Sequence, residues 1–230
     1  MTISCITFDL DDTLWECDSV IARAEEALYD WLQSQMPAVT DEHDAASLVE
    51  HRMRFARANP EIGFDITELR KRWLALLAAD YGYSERTAAD AFTLFWERRN
   101  AVELYEGVVE LLEVLGQRYT LGAITNGNAD VHYIGIGHLF DFALSAADAG
   151  AAKPDPRIFE AAAQLSGHPL DRTLHVGDDP VRDVNGASAM GMRTVWINPR
   201  MQPWPGGQTP DFVVRHVAQL ADELESLTGS

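Results

Sequence analysis

Short apolar runs alternate with helical patterns along the second half of the sequence, and this alternation constrains the fold more than any other feature. The runs that predict strands cover residues 120–125, 142–144, 173–176 and 193–197. Helical spacing and helix-start prolines predict helices over residues 108–118, 156–165 and 180–190, with a further short helix near Asp130. Strands that alternate with helices are joined by right-handed crossovers, so the sequence predicts a parallel sheet covered by helices.

A further strand is predicted at the start of the chain, over residues 3–10, where an apolar, β-rich run ends in acidic residues. Residues 20–100 differ, because apolar side chains recur there at helical spacing and Ser84 is predicted to cap one of the helices. We therefore predict a Rossmann-like, doubly wound parallel α/β sheet formed by residues 1–15 and 101–230. Residues 16–100 would be inserted into it as an α-helical cap.

Composition excludes several classes of partner. The chain carries 18 Lys and Arg against 36 Asp and Glu, and a net charge of -18 repels nucleic acid. No apolar run approaches the roughly 18 residues that a membrane span needs. Cys5 and Cys17 do not have the spacing of a metal site. We expect a cytoplasmic protein, a monomer or a homodimer, that acts on a small molecule.

Acidic residues follow the first predicted strand directly. Asp9 and Asp11 are two residues apart at the carboxyl end of a buried run. Such a pair can bind a divalent cation while one carboxylate oxygen stays available for nucleophilic attack. A solvated acidic turn would have the same local sequence, so this motif alone leaves both interpretations open.

Two further motifs follow later strands. Thr125 and Asn126 end the strand at residues 120–125, where a hydroxyl and backbone N–H groups can bind phosphate oxygens. An ordinary Asn-Gly turn would also explain this motif. Lys153 precedes two prolines at a predicted helix start, where its ammonium can neutralise charge on a transferring phosphoryl group.

A second acidic cluster follows the strand at residues 173–176. Asp178 and Asp179 come at the end of this strand, and Asp183 lies one helical turn later. Carboxylates favour helix N-termini, which is the simpler explanation for the first two. Three crowded carboxylates repel one another unless a cation is present, and all four motifs follow strands of one predicted sheet. The sequence therefore predicts a cation site at the carboxyl edge of this sheet.

The order of these motifs resembles the four-motif signature of the haloacid dehalogenase superfamily, and the resemblance covers essentially the whole chain. Its residues here are Asp9, Asp11, Thr13, Thr125, Lys153, Asp178, Asp179 and Asp183. Within the superfamily, ITFDLDDTLW, GAITNGNAD, LHVGDDPVRDV and VWINP are most similar to bacterial phosphatases of flavin mononucleotide and related riboflavin-pathway phosphates. The resemblance implies a Mg²⁺-dependent phosphatase with an aspartyl-phosphate intermediate.

The resemblance also implies a role for each motif residue. Asp9 would attack phosphorus, and Asp11 would protonate the leaving alkoxide and then activate water. Mg²⁺ would be held by Asp9, Asp178 and the backbone carbonyl of Asp11. The remaining residues divide into a phosphate-binding group and a group that supports the metal ligands. The first comprises Leu10, Thr125, Asn126 and Lys153, and the second Thr13, Asp179 and Asp183.

Substrate choice is expected to involve the helical insertion, which would roof the active site and exclude polymers. Arg54 and Trp73 lie in two stretches that combine basic and aromatic residues, which suits a phosphorylated ring system such as flavin mononucleotide. Solvated helix faces would show the same pattern. We expect the substrate to be a small phosphorylated metabolite.

Other functions remain open on sequence alone. A phosphomutase would keep Asp11, whereas a haloacid dehalogenase would need neither that residue nor the acidic cluster around Asp178. A signalling receiver domain accepts its phosphoryl group on a later strand and lacks a large helical insertion, which disfavours it. A non-catalytic phosphate-binding protein would have no need of the full set of catalytic residues.

Overall fold

The computed structural model describes residues 2–221 and 223–224, and these contain one six-stranded sheet in which every strand pair is parallel. The strands are β1 (Cys5–Phe8), β2 (Thr120–Thr125), β3 (Phe142–Ser145), β4 (Thr173–Gly177), β5 (Arg193–Ile197) and β6 (Phe212–Val214). Their order in the sheet is β3-β2-β1-β4-β5-β6. The predicted doubly wound α/β fold is confirmed, and β6 is a strand that the sequence analysis missed.

The strand order sets the position of the functional edge. From β1 the chain winds outward through β2 to β3, and it then returns to place β4 on the other side of β1. The order in which the chain adds strands therefore reverses between β1 and β4, and open α/β sheets bind ligands at such a switch point, beyond the carboxyl ends of the strands. Both strands are buried along their whole length, as expected for central strands.

The helices fall into two compact units. One unit takes in Met1–Glu16 and Glu103–Ser230, as far as these are described, and the other is Cys17–Val102. We call them the sheet unit and the helical unit. The sheet unit contains α6 (Val108–Gly116), α7 (Val131–Ile134), α8 (Ala146–Ala149), α9 (Pro156–Ser166) and α10 (Gly186–Ala189). It also has 3₁₀ turns at Gly137–Leu139, Leu170–Arg172 and Val217–Gln219.

The helical unit has five α-helices around its own apolar core. They are α1 (Cys17–Gln35), α2 (Pro37–Glu42), α3 (Ala45–Ala58), α4 (Ile66–Asp80) and α5 (Glu85–Arg99), with a 3₁₀ turn at Pro60–Ile62. The side chain of Ser84 accepts a hydrogen bond from the Thr87 N–H, which confirms it as the N-cap of α5. Within the described chain, no helix is both long and apolar enough to cross a membrane.

One predicted helix differs in type. The segment expected as a single helix over residues 180–190 begins as a π-helical turn, Pro180–Asn185, and only then continues as α10. Asp183 lies in this wider turn, and its carboxylate accepts hydrogen bonds from the Asp179 N–H and from Lys153. A π-turn often marks a functional site, because it redirects side chains away from regular helical positions.

Candidate active site

Three strand ends bring the predicted site residues together within the sheet unit. Asp9 follows β1, and its N–H donates to the carbonyl of Val176 in β4 at 2.8 Å. Thr125 is the last residue of β2, and Asp178 follows β4 directly. Because β2, β1 and β4 are neighbours, the side chains that leave these strands meet at one edge of the sheet.

The chain turns sharply after Asp9. The carbonyl of Leu10 accepts the N–H groups of Thr13 at 3.3 Å and Leu14 at 2.8 Å, and Asp12 takes a left-handed conformation with φ 58°. Aspartate tolerates this conformation better than most residues, since its short polar side chain bonds locally. The turn brings the chain back past Asp11, which forms an isolated bridge with Trp15.

Lys153 contacts two carboxylates and a backbone carbonyl of the site. Its ammonium donates to Asp9 Oδ1 at 2.6 Å, to Asp183 Oδ1 at 2.7 Å and to the carbonyl oxygen of Ile124 at 2.7 Å. The side chain is almost completely buried. Burial would lower the pKa of the ammonium, but the carboxylates of Asp183 and Asp9 outweigh burial and raise it. Lys153 therefore stays charged and fixes the orientation of the Asp9 carboxylate.

The side chains of Thr125 and Asn126, both predicted to bind phosphate, have different hydrogen-bond partners. The Thr125 hydroxyl oxygen accepts the Gly127 N–H at 2.8 Å, which leaves its proton available for an anionic ligand. The side-chain amide of Asn126 instead clamps the backbone of Lys153, accepting its N–H at 2.7 Å and donating to its carbonyl at 2.8 Å. Asn126 thus holds the Lys153 segment against the end of β2.

Three carboxylates form a compact oxygen cluster. Asp9, Asp178 and Asp183 each offer one oxygen, and these oxygens lie within 4.8 Å of one another. Burial raises the pKa of Asp9 well above its usual value, and Lys153 offsets this only in part. Burial also raises the pKa of Asp178 to about 7, with further contributions from Asp183 and Asp12. The protein thus concentrates negative charge where water solvates it poorly.

A hard divalent cation fits this cluster. Mg²⁺ binds through a small number of carboxylate oxygens and completes its octahedron with water and substrate oxygens. The donors here are all oxygens, and a cation would offset the burial and carboxylate repulsion that raise the pKa of Asp178. Asp183, predicted only to support the metal ligands, contributes an oxygen to the cluster, although Lys153 also neutralises it and lowers its pKa.

Thr13 and Asp179 lie close in sequence to residues of the carboxylate cluster. Thr13 is fully buried, and its hydroxyl oxygen makes no hydrogen bond within the described residues. The Asp179 carboxylate accepts the N–H groups of Val181 and Arg182 at 2.8 and 2.9 Å, so it caps the π-turn that carries Asp183. The Asp179 carboxylate therefore contacts the backbone of the turn that carries Asp183, and its own N–H donates to the Asp183 carboxylate.

His175 is a residue of the site that the sequence analysis did not include among its candidates. It lies in β4, fully buried, with one ring nitrogen 2.8 Å from the Thr7 hydroxyl and the other 3.2 Å from Asp183 Oδ1. Burial lowers the pKa of the imidazole, which favours the neutral ring. A histidine in the middle of an otherwise apolar central strand was the available signal, because a buried imidazole needs polar partners.

The two predicted specificity residues lie in the helical unit and differ in exposure. Arg54 is exposed on α3. Trp73 is buried in the core of the unit, where it is 1% exposed and its indole N–H donates to His51 Nδ1 at 2.9 Å. Any effect of Trp73 on substrate choice would therefore act through the packing of the helices.

Comparison with known proteins identifies the family. The family model for haloacid dehalogenase-like hydrolases matches residues 3–191, which include all four motifs. The chain belongs to this hydrolase family. It is 34% identical over 226 residues to the 5-amino-6-(5-phospho-D-ribitylamino)uracil phosphatase YigB of Escherichia coli, with 95% of this chain and 94% of the relative covered.

Relatives with a different activity are also similar to the chain. A crystal structure of a 2-haloacid dehalogenase from Pseudomonas syringae superposes with a TM-score of 0.92 at 38% identity, covering 98% of this chain and all of that one. An (S)-2-haloacid dehalogenase from a Pseudomonas species is 27% identical, with 99% of this chain and 97% of the relative covered. The family is thus established, and the choice between its chemistries depends on the residues of the site.

Proposed function

We propose that this hydrolase cleaves a phosphate monoester of a small metabolite through an aspartyl-phosphate on Asp9. One observation carries the proposal. Asp9, the predicted nucleophile, accepts a hydrogen bond from the buried Lys153 and shares a compact oxygen cluster with two further carboxylates. Lysine and a cation are the groups that stabilise charge on a transferring phosphoryl group. The phosphatase names among the similar proteins support the same reaction class.

The reaction proceeds in two displacements. A carboxylate oxygen of Asp9 forms a bond to phosphorus as the ester bond breaks, and Asp11 gives its proton to the departing alkoxide. Water then attacks the acyl-phosphate, Asp11 takes back a proton, and the bond between Asp9 and phosphorus breaks to release inorganic phosphate. Asp9 is regenerated unchanged, so atoms and protons balance over the cycle.

Other residues of the sheet unit prepare these steps. The Lys153 ammonium holds the Asp9 carboxylate in one orientation and neutralises negative charge at the site, because it contacts both Asp9 and Asp183. The Thr125 hydroxyl and the backbone N–H of Leu10 serve the phosphoryl oxygens. Asp9, Asp178 and the carbonyl of Asp11 would hold Mg²⁺, with Asp183 adjacent. The bound cation supplies charge neutralisation for the phosphoryl oxygens.

Carbon–halogen hydrolysis is the second candidate, favoured by the similarity to 2-haloacid dehalogenases. In that reaction Asp9 would attack carbon and displace halide. It needs neither a proton donor for an alkoxide nor a cation, so Asp11 and the cluster around Asp178 would have no role. The presence of Asp11 and of the carboxylate cluster around Asp178 therefore favours phosphoryl transfer over dehalogenation. Phosphomutase activity shares the first step and differs only in the acceptor.

A polyol phosphate attached to a flat ring is the substrate class that we favour. The similar Escherichia coli phosphatase is named for a ribityl phosphate carried on a uracil ring, and flavin mononucleotide has the same general chemistry. Arg54 is the exposed basic residue proposed to serve polar groups of such a substrate. Its matched control is Arg57, an exposed arginine on the same helix.

The test compares bond classes and metals in one set of assays. Purified protein is given flavin mononucleotide, a sugar phosphate and a 2-haloacid, in Mg²⁺, in Ca²⁺ and in excess EDTA, with phosphate and halide measured. We expect phosphate release in Mg²⁺ alone, a preference for the ring-bearing ester, and less than a few per cent of that rate in Asp9→Asn. Halide release in EDTA would replace the proposal by the dehalogenase reaction.

Substrate preference is tested by two single variants. Arg54→Ala should lower kcat/KM for flavin mononucleotide relative to the sugar phosphate, whereas Arg57→Ala should leave this ratio as it is in the wild type. Equal ratios in all three proteins would remove Arg54 from substrate choice without affecting the assignment of Asp9.

A further inference from the structure

We propose that Trp15 is a positioning residue that holds the Asp11 carboxyl in the orientation needed for proton transfer. The inference rests on the proposed phosphatase function. Its observation is a hydrogen bond of 2.9 Å from the indole N–H of Trp15 to Asp11 Oδ1.

The turn after β1 brings these two residues together. Asp11 and Trp15 form an isolated parallel bridge, and Trp15 forms a second, antiparallel bridge with Leu104. The N–H of Tyr105 donates to the Leu14 carbonyl at 2.8 Å. Bridges to Asp11 and to Leu104 therefore fix the backbone of Trp15 within the sheet unit.

Burial makes the indole a rigid donor. Trp15 is 0% exposed, whereas Asp11 is partly accessible to solvent. An aspartate carboxyl turns about a broad, two-fold torsion, so a partly exposed one samples many orientations. A fixed N–H on one of its oxygens restricts that rotation. Acid–base catalysis by a positioned side chain contributes about 100- to 10,000-fold, and this contribution depends on geometry.

The discriminating measurement is the dependence on the leaving group. An alkyl ester releases a strongly basic alkoxide that must be protonated as it leaves, whereas p-nitrophenyl phosphate releases a weakly basic phenolate that needs little help. Because kcat/KM reports the first displacement, Trp15→Phe should lower it about tenfold for the alkyl ester and less than about threefold for the aryl ester. A packing defect alone would lower both values equally.

A second variant separates the hydrogen bond from the volume of the ring. Trp15→His creates a smaller and more polar side chain than Trp15→Phe but keeps a ring N–H, so it should recover part of the activity on the alkyl ester. If Trp15 acts only by packing, Trp15→Phe should instead be more active on the alkyl ester than Trp15→His. Thermal melts show which variants are folded, and either folded variant suffices for the comparison with the wild type.

A double-mutant cycle shows whether Trp15 acts through Asp11. In an Asp11→Asn background the loss caused by Trp15→Phe should largely disappear, since neighbouring residues of one network are not additive. Equal losses on both esters, or full additivity, would overturn the role of Trp15 while leaving the phosphatase proposal intact. If the wild type released no phosphate from either ester, both proposals would fall together.

Discussion

Replacing Asp178 by asparagine is expected to stabilise the protein when divalent cations are removed. Asp178 lies at the end of β4, half-buried, and belongs to the oxygen cluster with Asp9 and Asp183. Burial first, and the neighbouring carboxylates second, raise its pKa from 3.8 to about 7. Folding therefore penalises its charged form, and the amide of Asp178→Asn removes that penalty while keeping the shape.

The sign and size follow from the two pKa values. The folded protein binds the Asp178 proton more tightly than the unfolded chain does, so the penalty is absent below pH 3.8 and complete above about pH 7. A rise from 3.8 to about 7 corresponds to about 4 kcal/mol. Because the side chain is only half-buried, solvent screening reduces this, and we expect Asp178→Asn to gain about 1–3 kcal/mol at pH 8.

Thermal unfolding in EDTA measures the gain. For a chain of this size, about 1–3 kcal/mol raises Tm by about 2–10 °C. The difference from the wild type should shrink steadily as the pH falls towards 4. Mg²⁺ should then reduce this difference by up to about 2.7 kcal/mol, because a ligand at 100 times its Kd stabilises the folded state by that amount and the variant lacks one of the metal ligands.

An exposed carboxylate in the same unit provides the control. Asp171→Asn should change the free energy of unfolding by less than about 0.5 kcal/mol at either pH. The reasoning about Asp178 would be refuted by a lower stability of Asp178→Asn in EDTA at pH 8. A gain of the same size at pH 4 and pH 8 would refute it equally, since it could not arise from ionisation.

Two further changes test the packing of the site. Lys153→Met leaves two buried carboxylates without the ammonium that they share, and should lower the free energy of unfolding, measured by the denaturant midpoint, by about 3–5 kcal/mol. Lys71→Met, at an exposed lysine, is the control and should cost about 1 kcal/mol or less. Equal losses in the two variants would contradict the role given to Lys153. In Gly177→Ala the new methyl group would overlap the carboxyl group of Asp183, so we expect a loss of about 1–3 kcal/mol and a smaller rise in Tm with Mg²⁺. Gly116→Ala, with its nearest contact at 3.7 Å, is the control, and a similar Mg²⁺ response in both variants would refute the overlap.

The sequence predicted elements well where the signal was local. β2 and β5 have the predicted bounds, and the other three predicted strands differ by a few residues at their ends. A β-rich apolar run between polar turns is sufficient for such a prediction. The three-residue strand β6 was missed because it is too short to show alternation. The π-turn at Pro180–Asn185 was missed because its residues have ordinary helical propensities.

Contacts between distant residues decided the rest. The sequence showed that Asp9 and Asp178 each follow a strand, but only the pairing of β1 with β4 makes them neighbours. The three hydrogen bonds of Lys153 and the clamp by Asn126 join segments far apart in sequence. Propensity and periodicity describe local backbone preferences, so they contain no information on which side chains such a network joins.

The sequence by itself therefore determined the order and chemistry of the site residues, because motif spacing and strand ends are local features. The tertiary structure decided how these residues are held. It buried Trp73 in the helical core, placed the His175 ring against Asp183 and brought the Trp15 indole onto Asp11. Each of these depends on the direction and burial of a side chain, which packing against the rest of the chain sets.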